Sequence, residues 1–325
     1  MHLDLDSHKK KSRSRGISEE ALVHAALTDV GLERATNEDR CALISTIQGV
    51  CHLVLDGMGG SEGGDFAAQI SIEAVRRCLL TESTARGEPI EIIRHAFEDA
   101  NRAITLRRQN QKFRDMGTTI VGVLIEGSSV AVGHVGDSRA YLVKGEVIEQ
   151  LTVDHTYVQQ LVERNEISKE EALPHPQSHI LTQCLGSAPD VRVDLAQFWI
   201  WPLERGEQTD FIVLCTDGLY SMVTEEEIAS MVTTLSPRKA CEELVGLANA
   251  RGGFDNITVS IIPLHGHLRS EVSPTRGREV RARERSKKVD RWWRKSLVFH
   301  LLIAAVGGFL AAACAVLGMF YARVW

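Results

Sequence analysis

Four aspartates stand beside apolar, strand-like runs, where their carboxylates could bind a divalent metal ion. They are Asp56 after residues 51–55, Asp137 after 130–136, Asp217 after 211–216, and Asp255 before 257–262. Four carboxylates that converge at the rim of a sheet repel one another unless cations lie between them. Hard oxygen ligands of this kind select Mg²⁺ or Mn²⁺. The pattern therefore predicts a site for one of these ions.

The simplest alternative for any one Asp-Gly pair is a turn. Asp56 and Asp217 each precede a glycine, and an isolated Asp-Gly is typical of a turn. A turn, however, does not require an acidic residue at every strand end. The glycines that follow Asp56 also allow the backbone to approach a metal or a phosphate closely.

Strand-like and helix-like runs alternate between residues 18 and 265, and these elements must position the aspartates. Strand-like runs occur at 22–27, 41–45, 51–55, 118–125, 129–134, 140–143, 211–215 and 257–262. Apolar residues three or four apart predict helices at 64–80, 90–109, 156–164, 225–232 and 237–250. Strands fall into neighbouring groups with long helices between them, which favours an α+β layered domain over a strict βαβ repeat.

Six motifs occur in a fixed order along this domain. They are Thr28-Asp29-x-Gly31-x-x-Arg34-x-x-Asn37-Glu38-Asp39, Asp56-Gly57-Met58-Gly59-Gly60, Gly117-Thr118-Thr119, Val135-Gly136-Asp137-Ser138-Arg139, Thr216-Asp217-Gly218-Leu219 and Asp255-Asn256-Ile257-Thr258-Val259. Together they resemble the metal-dependent serine/threonine phosphatases of type 2C in their bacterial form. The resemblance covers residues 18 to about 263. It implies a four-layer α-β-β-α sandwich with two central antiparallel sheets, and a flap over about 154–186 that influences substrate choice.

The same resemblance implies roles for individual residues around two Mn²⁺ or Mg²⁺ ions, with a possible third. The implied metal ligands are Asp56 as the bridge, the Gly57 carbonyl, Asp217, Asp255, Glu38 through water, and Asp137 with Asp217 at the third site. Arg34 resembles the residue that clamps the substrate phosphate, because a planar guanidinium suits phosphate oxygens. The implied reaction is hydrolysis of phosphoserine or phosphothreonine in proteins by a water activated between the two ions.

Two positions depart from the family pattern. Met58 stands where animal members often carry a histidine, as it does in many bacterial members. Ser221 stands where the family often has a second acid after Asp-Gly-Leu, which weakens the prediction of the third metal site. Two alternatives stay open: a catalytically silent scaffold that binds phosphoproteins, and an enzyme for small phosphoesters.

The C-terminal part predicts a membrane anchor. Residues 297–322 contain no Asp, Glu, Lys or Arg, and as a helix they would span roughly 39 Å, more than the bilayer core of about 30 Å. The preceding stretch, 266–296, is predicted to be a basic juxtamembrane linker, because residues 269–295 contain 11 Lys or Arg and 4 Asp or Glu. The positive-inside rule then places the catalytic domain in the cytoplasm, at the inner membrane of a bacterial cell. Residues 1–17 are polar and basic, and we expect a disordered tail.

Composition limits the remaining possibilities. The formal net charge is −6 even with the basic linker included, which does not indicate nucleic acid as the main partner. The expected partners are phosphorylated proteins, a Ser/Thr kinase that the enzyme opposes, and the membrane. Seven scattered cysteines favour a reducing compartment. We expect His134 to be a core or rim residue, and His155 to lie at the surface of the flap.

Overall fold

Two antiparallel sheets form the centre of the molecule. The computed structural model describes residues 22–46, 49–59, 63–81 and 87–269. The first sheet has the order β1-β12-β11-β8-β9 and the second has the order β13-β10-β7-β6-β3-β2, while β4 and β5 form a small separate pair. The strands are β1 (Ala25–Asp29), β2 (Arg40–Ser45), β3 (Val50–Leu55), β4 (Gly57–Met58), β5 (Gly117–Thr118), β6 (Ile120–Glu126), β7 (Ser129–Val135), β8 (Arg139–Lys144), β9 (Val147–Gln150), β10 (Asp194–Pro202), β11 (Phe211–Cys215), β12 (Ile257–Pro263) and β13 (Gly266–Arg269).

Helices cover the outer face of each sheet. The helices are α1 (Gly63–Leu80), α2 (Pro89–Arg107), α3 (Tyr157–Glu163), α4 (Lys169–Ala172), α5 (Asp217–Tyr220), α6 (Glu225–Thr234) and α7 (Pro237–Ala250). Proline at the first position starts α2 and α7, where no intrahelical N–H is needed. A capping box between Thr224 and Glu227 starts α6. Helices α1 and α2 pack on the second sheet, and α6 and α7 pack on the first.

Three apolar layers fill the spaces between these four layers of structure. Alternation along a strand explains them, because successive side chains point to opposite faces. In β6, Val121 and Val123 face the other sheet, while Ile120 and Leu124 face α1 and α2. In β11, the alternation directs Phe211, Val213 and Cys215 toward α6 and α7. The central strands β3, β6, β7, β11 and β12 are therefore buried on both faces, which explains why they read as continuous apolar runs.

The prediction of an α+β domain with two antiparallel sheets and flanking helices is confirmed. The domain extends beyond the predicted boundary at 265, however, because β13 (Gly266–Arg269) pairs with the edge of β10. Residues 266–269 are the first four residues of the stretch that the sequence predicts to be a basic linker. Pairing with Trp199 to Pro202 supplies the backbone hydrogen bonds that a linker would lack.

Among the described residues, none of the helices has the length and apolar content needed to cross a bilayer. The predicted membrane span at 297–322, the rest of the predicted linker and the predicted tail at 1–17 lie outside the described residues.

We expect Phe97→Ala to lower the free energy of unfolding by about 3–5 kcal/mol. Phe97 lies on α2, is fully buried and packs in the apolar layer over the second sheet, so truncation leaves a cavity. Leu106→Ala on the same helix is the control, because Leu106 is 65% exposed and should change stability by no more than about 0.5 kcal/mol. Denaturant titration followed by circular dichroism measures both. Equal effects would contradict the assigned core.

Candidate metal centre and active site

The predicted site residues come from strand ends that meet at one edge of the sandwich. Strands β3, β7 and β11 end at this edge, and β2 and β12 begin there, since the paired neighbours are antiparallel. Asp56, Asp137 and Asp217 follow the first three strands, while Glu38 and Asp255 each lie two residues before one of the last two. The edge therefore combines carboxylates from both sheets.

Asp56 is held by its own backbone. Its N–H donates to the Thr119 hydroxyl at 3.0 Å, and its carbonyl accepts from the Thr119 N–H and the Thr118 hydroxyl, both at 2.8 Å. The Thr119 hydroxyl also bonds to that of Ser138 at 2.7 Å. These bonds use the backbone and leave the Asp56 carboxylate available to a ligand.

Asp39 is buried behind this edge. Its carboxylate connects the two neighbouring segments of the first sheet that carry Asp217 and Asp255. Its exposed fraction is 1%. One carboxylate oxygen accepts from the Thr216 hydroxyl at 2.8 Å and from the Thr258 hydroxyl at 2.7 Å. Thr216 precedes Asp217, and Thr258 follows Asp255 by three residues. Asp39 thus fixes the two segments that present these aspartates.

The segment that carries Arg34 and Glu38 is fastened by Asn256. The Asn256 side-chain amide donates to the carbonyls of Val30 and Thr36 at 2.9 and 3.0 Å. Its oxygen accepts from the Glu38 N–H at 2.8 Å. One buried side chain therefore sets the path of residues 30–38 across the edge.

Gly57 lies where the backbone of β4 touches the start of α1. A Cβ atom built on Gly57 would lie 2.3 Å from the Gly64 carbonyl oxygen, and one on Gly64 would lie 2.5 Å from the Gly57 carbonyl carbon. Neither position can accept a side chain. The contact also brings the Gly64 N–H to 3.3 Å from a Glu38 carboxylate oxygen, so Glu38 and Gly57 share one corner of the site.

Arg34 reaches the site through Asp255. An Arg34 guanidinium nitrogen donates to an Asp255 carboxylate oxygen at 2.8 Å, and both side chains are partly exposed. The guanidinium is thus at the mouth of the acidic cluster, where a phosphate could exchange for the Asp255 contact. A planar fork of N–H donors suits that exchange.

The carboxylates disturb one another electrostatically. Burial raises the pKa of Asp56 well above its usual range, and the charges of Asp39, Asp217, Asp137 and Asp255 raise it further. Burial and the charge of Asp255 raise the pKa of Asp217 to about 6. Burial also raises the pKa of Asp39 to about 7, against the hydrogen bonds from Thr258 and Thr216. Several ionised carboxylates in one buried place require compensating positive charge.

One orphaned atom shows that this site fits metal ions. Among the residues the structure describes, the buried Oδ1 of Asp217 has no hydrogen-bond partner, which is costly for a polar atom unless a ligand supplies the missing interaction. The acidic side chains that act on Asp217, those of Asp56 and Asp255, offer oxygen ligands. This donor set suits Mg²⁺ or Mn²⁺ better than a soft transition metal.

Behind Asp137, a buried charged network connects the site to the flap. Arg139 makes three hydrogen bonds to the Asp154 carboxylate, and its guanidinium carbon lies 3.6 Å from the centre of the Tyr220 ring. The Tyr220 hydroxyl donates to the Asp137 carbonyl at 3.2 Å. Burial and the charge of Asp217 raise the pKa of the Asp137 carboxyl well above its usual range. By contrast, Ser221 is exposed at the end of α5.

The residues that hold the acidic side chains in place have no role predicted from the sequence. Thr119, Thr216, Thr258 and Asn256 were quoted as parts of motifs, without a role. A Thr or Asn stands next to several of the acidic residues, and these side chains often form hydrogen bonds to nearby backbone groups. This repetition is the sequence signal that could indicate their role. The prediction that His155 lies at the surface of the flap is wrong: this residue is 7% exposed, and its ring stacks on that of His134.

The chain is similar to known proteins in both sequence and structure. A family model described as protein phosphatase 2C matches residues 33–249. The protein phosphatase PhpP of Streptococcus pneumoniae serotype 2 is 35% identical over 242 residues, which are 74% of this chain and 96% of PhpP.

Solved structures are similar over the same region. The Mycobacterium tuberculosis serine/threonine phosphatase PstP/Ppp has a TM-score of 0.64 and 31% identity, over 74% of this chain and 97% of the solved one. The catalytic domain of PstP in complex with two manganese ions has a TM-score of 0.62 and 30% identity, over 74% of this chain and 96% of that domain.

We expect the metal-free protein to lose stability as pH rises from about 4 to about 7. The folded-state pKa values of Asp39 and Asp217, about 7 and about 6, exceed the unfolded value of about 3.9. In this window the folded protein binds more protons than the unfolded chain, so the free energy of unfolding falls as pH rises. Denaturant titrations in EDTA at several pH values measure this fall.

Asp39→Asn should make that fall shallower, because the amide oxygen still accepts from both threonines but does not ionise. Asp190→Asn is the control, since Asp190 is exposed outside the site, and it should follow the wild type. A wild-type slope in Asp39→Asn would contradict the electrostatic strain assigned to Asp39.

Proposed function

Because the chain belongs to the protein phosphatase 2C family and is a metal-dependent serine/threonine protein phosphatase, we propose that its catalytic centre is the acidic edge described above. Asp56, Asp217, Asp255, the Gly57 carbonyl and Glu38 would hold two Mn²⁺ or Mg²⁺ ions. Asp137, together with Asp217, would contribute to a third site. The observation that carries this proposal is the orphaned Oδ1 of Asp217 within a cluster of carboxylates from both sheets.

The bound ions supply Lewis-acid activation of a water near neutral pH and neutralise charge on the phosphoryl oxygens. The chain's own residues hold the acidic ligands in place. Asp39 fixes the Asp217 and Asp255 segments through two threonine hydroxyls, and Thr118 and Thr119 fix the Asp56 backbone. Ligands held before the reaction need no rearrangement during it, which is the basis of electrostatic preorganisation.

Arg34 is the residue that we assign to the substrate phosphate. Its side chain is more than half exposed, and its contact with Asp255 directs it to the mouth of the site. Two parallel N–H donors on one guanidinium can bind two phosphoryl oxygens and orient phosphorus for in-line attack. The Asp255 carboxylate would compete less for Arg34 if it also held a cation, which would leave the guanidinium fork free for phosphate.

We also propose a cellular setting. The apolar run at 297–322 would anchor the protein in the inner membrane, and the basic stretch before it would lie against anionic headgroups on the cytoplasmic side. The substrates would be phosphoserine and phosphothreonine in proteins. A Ser/Thr kinase must produce such substrates, so the enzyme would oppose a kinase in the same compartment.

We expect Mn²⁺-dependent release of phosphate from a phosphothreonine peptide, abolished by EDTA and by Asp56→Ala. Arg34→Ala should lower kcat/KM by about 100-fold, comparable to the loss of one donor to the transition-state charge. Arg34→Lys should recover only part of it, because Lys keeps the charge and loses the fork. Malachite-green detection of phosphate measures all four proteins.

Asp190→Asn is again the control and should retain wild-type turnover. A wild type that binds Mn²⁺ by calorimetry yet releases no phosphate would contradict the assignment and favour the phosphoprotein-binding scaffold. Faster turnover of a small aryl phosphate than of any phosphopeptide would instead favour an enzyme for small phosphoesters.

We expect the full chain to sediment with membranes and a chain ending at residue 296 to be released by about 1 M salt. The apolar run binds by hydrophobic burial, which salt does not weaken, whereas the basic stretch binds by charge, which salt screens. A chain ending at 269 is the control and should be soluble without salt. Sedimentation of that shortest chain would contradict both membrane assignments.

A further inference from the structure

One buried residue, His155, fastens both ends of the flap to the turn that carries Asp137. His155 follows directly after Asp154, at the start of the flap. Its backbone N–H donates to the Gly136 carbonyl at 2.9 Å, and its own carbonyl accepts from the Thr182 N–H at 2.8 Å. The start of the flap, the end of the flap and the turn after β7 therefore meet at a single residue.

The His155 side chain also contacts the turn after β7 and the end of the flap. Its Nδ1 accepts from the Gly136 N–H at 3.1 Å and lies 3.1 Å from the side-chain amide nitrogen of Gln183. Gly136 has a φ of +107°, a conformation that only glycine adopts readily. Both hydrogen-bonding groups of Gly136 are thus bound by one residue, directly before Asp137.

These bonds determine the tautomer of His155. Since Nδ1 accepts from a backbone N–H, the neutral ring carries its proton on Nε2. Nε2 is buried and has no hydrogen-bond partner within the described part of the chain, but a carboxylate oxygen of Asp194 lies 3.5 Å from it. Asp194 on β10 is the register partner of His134 on β7. The carboxylate therefore stabilises the form of His155 that can accept from Gly136.

A metal site is the alternative for this cluster, because ligand atoms of His134, His155 and Asp194 all lie within 4.8 Å of one another. Two observations argue against it. A metal-bound histidine normally donates its second ring N–H to a neighbour, whereas the second nitrogen of His155 accepts. The rings of His134 and His155 also stack, with centres 4.7 Å apart and planes at 27°, so their in-plane lone pairs do not converge on one ion.

We propose that His155 is a positioning residue that couples the flap to Asp137. Asp194 holds the ring in its Nε2–H form, and Nδ1 then fixes the Gly136 amide and the direction in which Asp137 leaves β7. A displacement of the flap transmits to the Asp137 carboxylate through this bond. The inference rests on the proposed function, where Asp137 contributes to the third metal site.

Two substitutions separate the acceptor at Nδ1 from the bulk of the ring. In His155→Asn the amide oxygen can occupy the position of Nδ1 and accept from Gly136. In His155→Gln the amide lies one atom further out, where it can meet Asp194 but not Gly136. Hydrogen exchange of the full chain in detergent with Mn²⁺, analysed by mass spectrometry, measures protection at residues 133–137 and 180–186.

We expect wild type and His155→Asn to protect both segments. His155→Gln should exchange about tenfold faster at Gly136, the loss expected for one hydrogen bond. The same variant should require more Mn²⁺ for half-maximal turnover of p-nitrophenyl phosphate, with kcat at saturating Mn²⁺ less affected. A role in packing alone would change both variants equally and would not shift the Mn²⁺ dependence.

Equal exchange at Gly136 in the two variants would overturn the proposal, and so would faster exchange without a shift in Mn²⁺ dependence. Unchanged exchange in peptides from α2 and β11 serves as the check on folding. If His155→Gln does not fold, Asp194→Ala and Asp194→Asn test the same coupling. In Asp194→Asn the side-chain oxygen can still accept from the Nε2–H of His155, whereas alanine cannot. A wild type without turnover would overturn the proposed function but leave the exchange comparison valid.

Discussion

The mutual repulsion of carboxylates at one edge of the sandwich is the constraint on which the rest of the structure depends. Asp56, Asp137, Asp217 and Asp255 come from different strands, and burial makes their charges costly. Neutral groups hold them in place. Hydrogen bonds to backbone groups and to the inner carboxylate of Asp39 involve the hydroxyls of Thr118, Thr119, Thr216 and Thr258 and the side-chain amide of Asn256. The buried Oδ1 of Asp217 therefore stays available to a cation.

The sheets and the flap contribute differently to this arrangement. The central strands are buried on both faces and pack on one another through an apolar layer between the sheets, which gives the edge its stiffness. The flap has the opposite character: it contains two short helices, and its ends are held by isolated bridges at Thr156 and Leu185. The flap therefore has fewer attachments than the acidic edge beside it.

The four aspartates could be predicted from sequence because each one stands beside a long apolar run, and this pattern does not depend on the exact boundaries of the elements. Strand β10 (Asp194–Pro202) was not predicted, because its mixed aromatic and polar residues lack a clean alternation. Strand β13 was assigned to the linker because Gly266–Arg269 is short and lies beside a basic stretch. The burial of His155 could not be predicted at all, since it depends on the return of the chain at Thr182 and Gln183, which no local pattern encodes.

The division of the ligands between the sheets has a mechanical consequence. Asp56 and Asp137 extend from the second sheet, whereas Asp217 and Asp255 extend from the first. An ion bound by both groups is a non-covalent crosslink between the halves of the sandwich, closing a loop of more than a hundred residues from Asp56 to Asp217. Sliding of one sheet over the other would change the distance between these two pairs of carboxylates. Ion occupancy would therefore be coupled to the packing of the sheets.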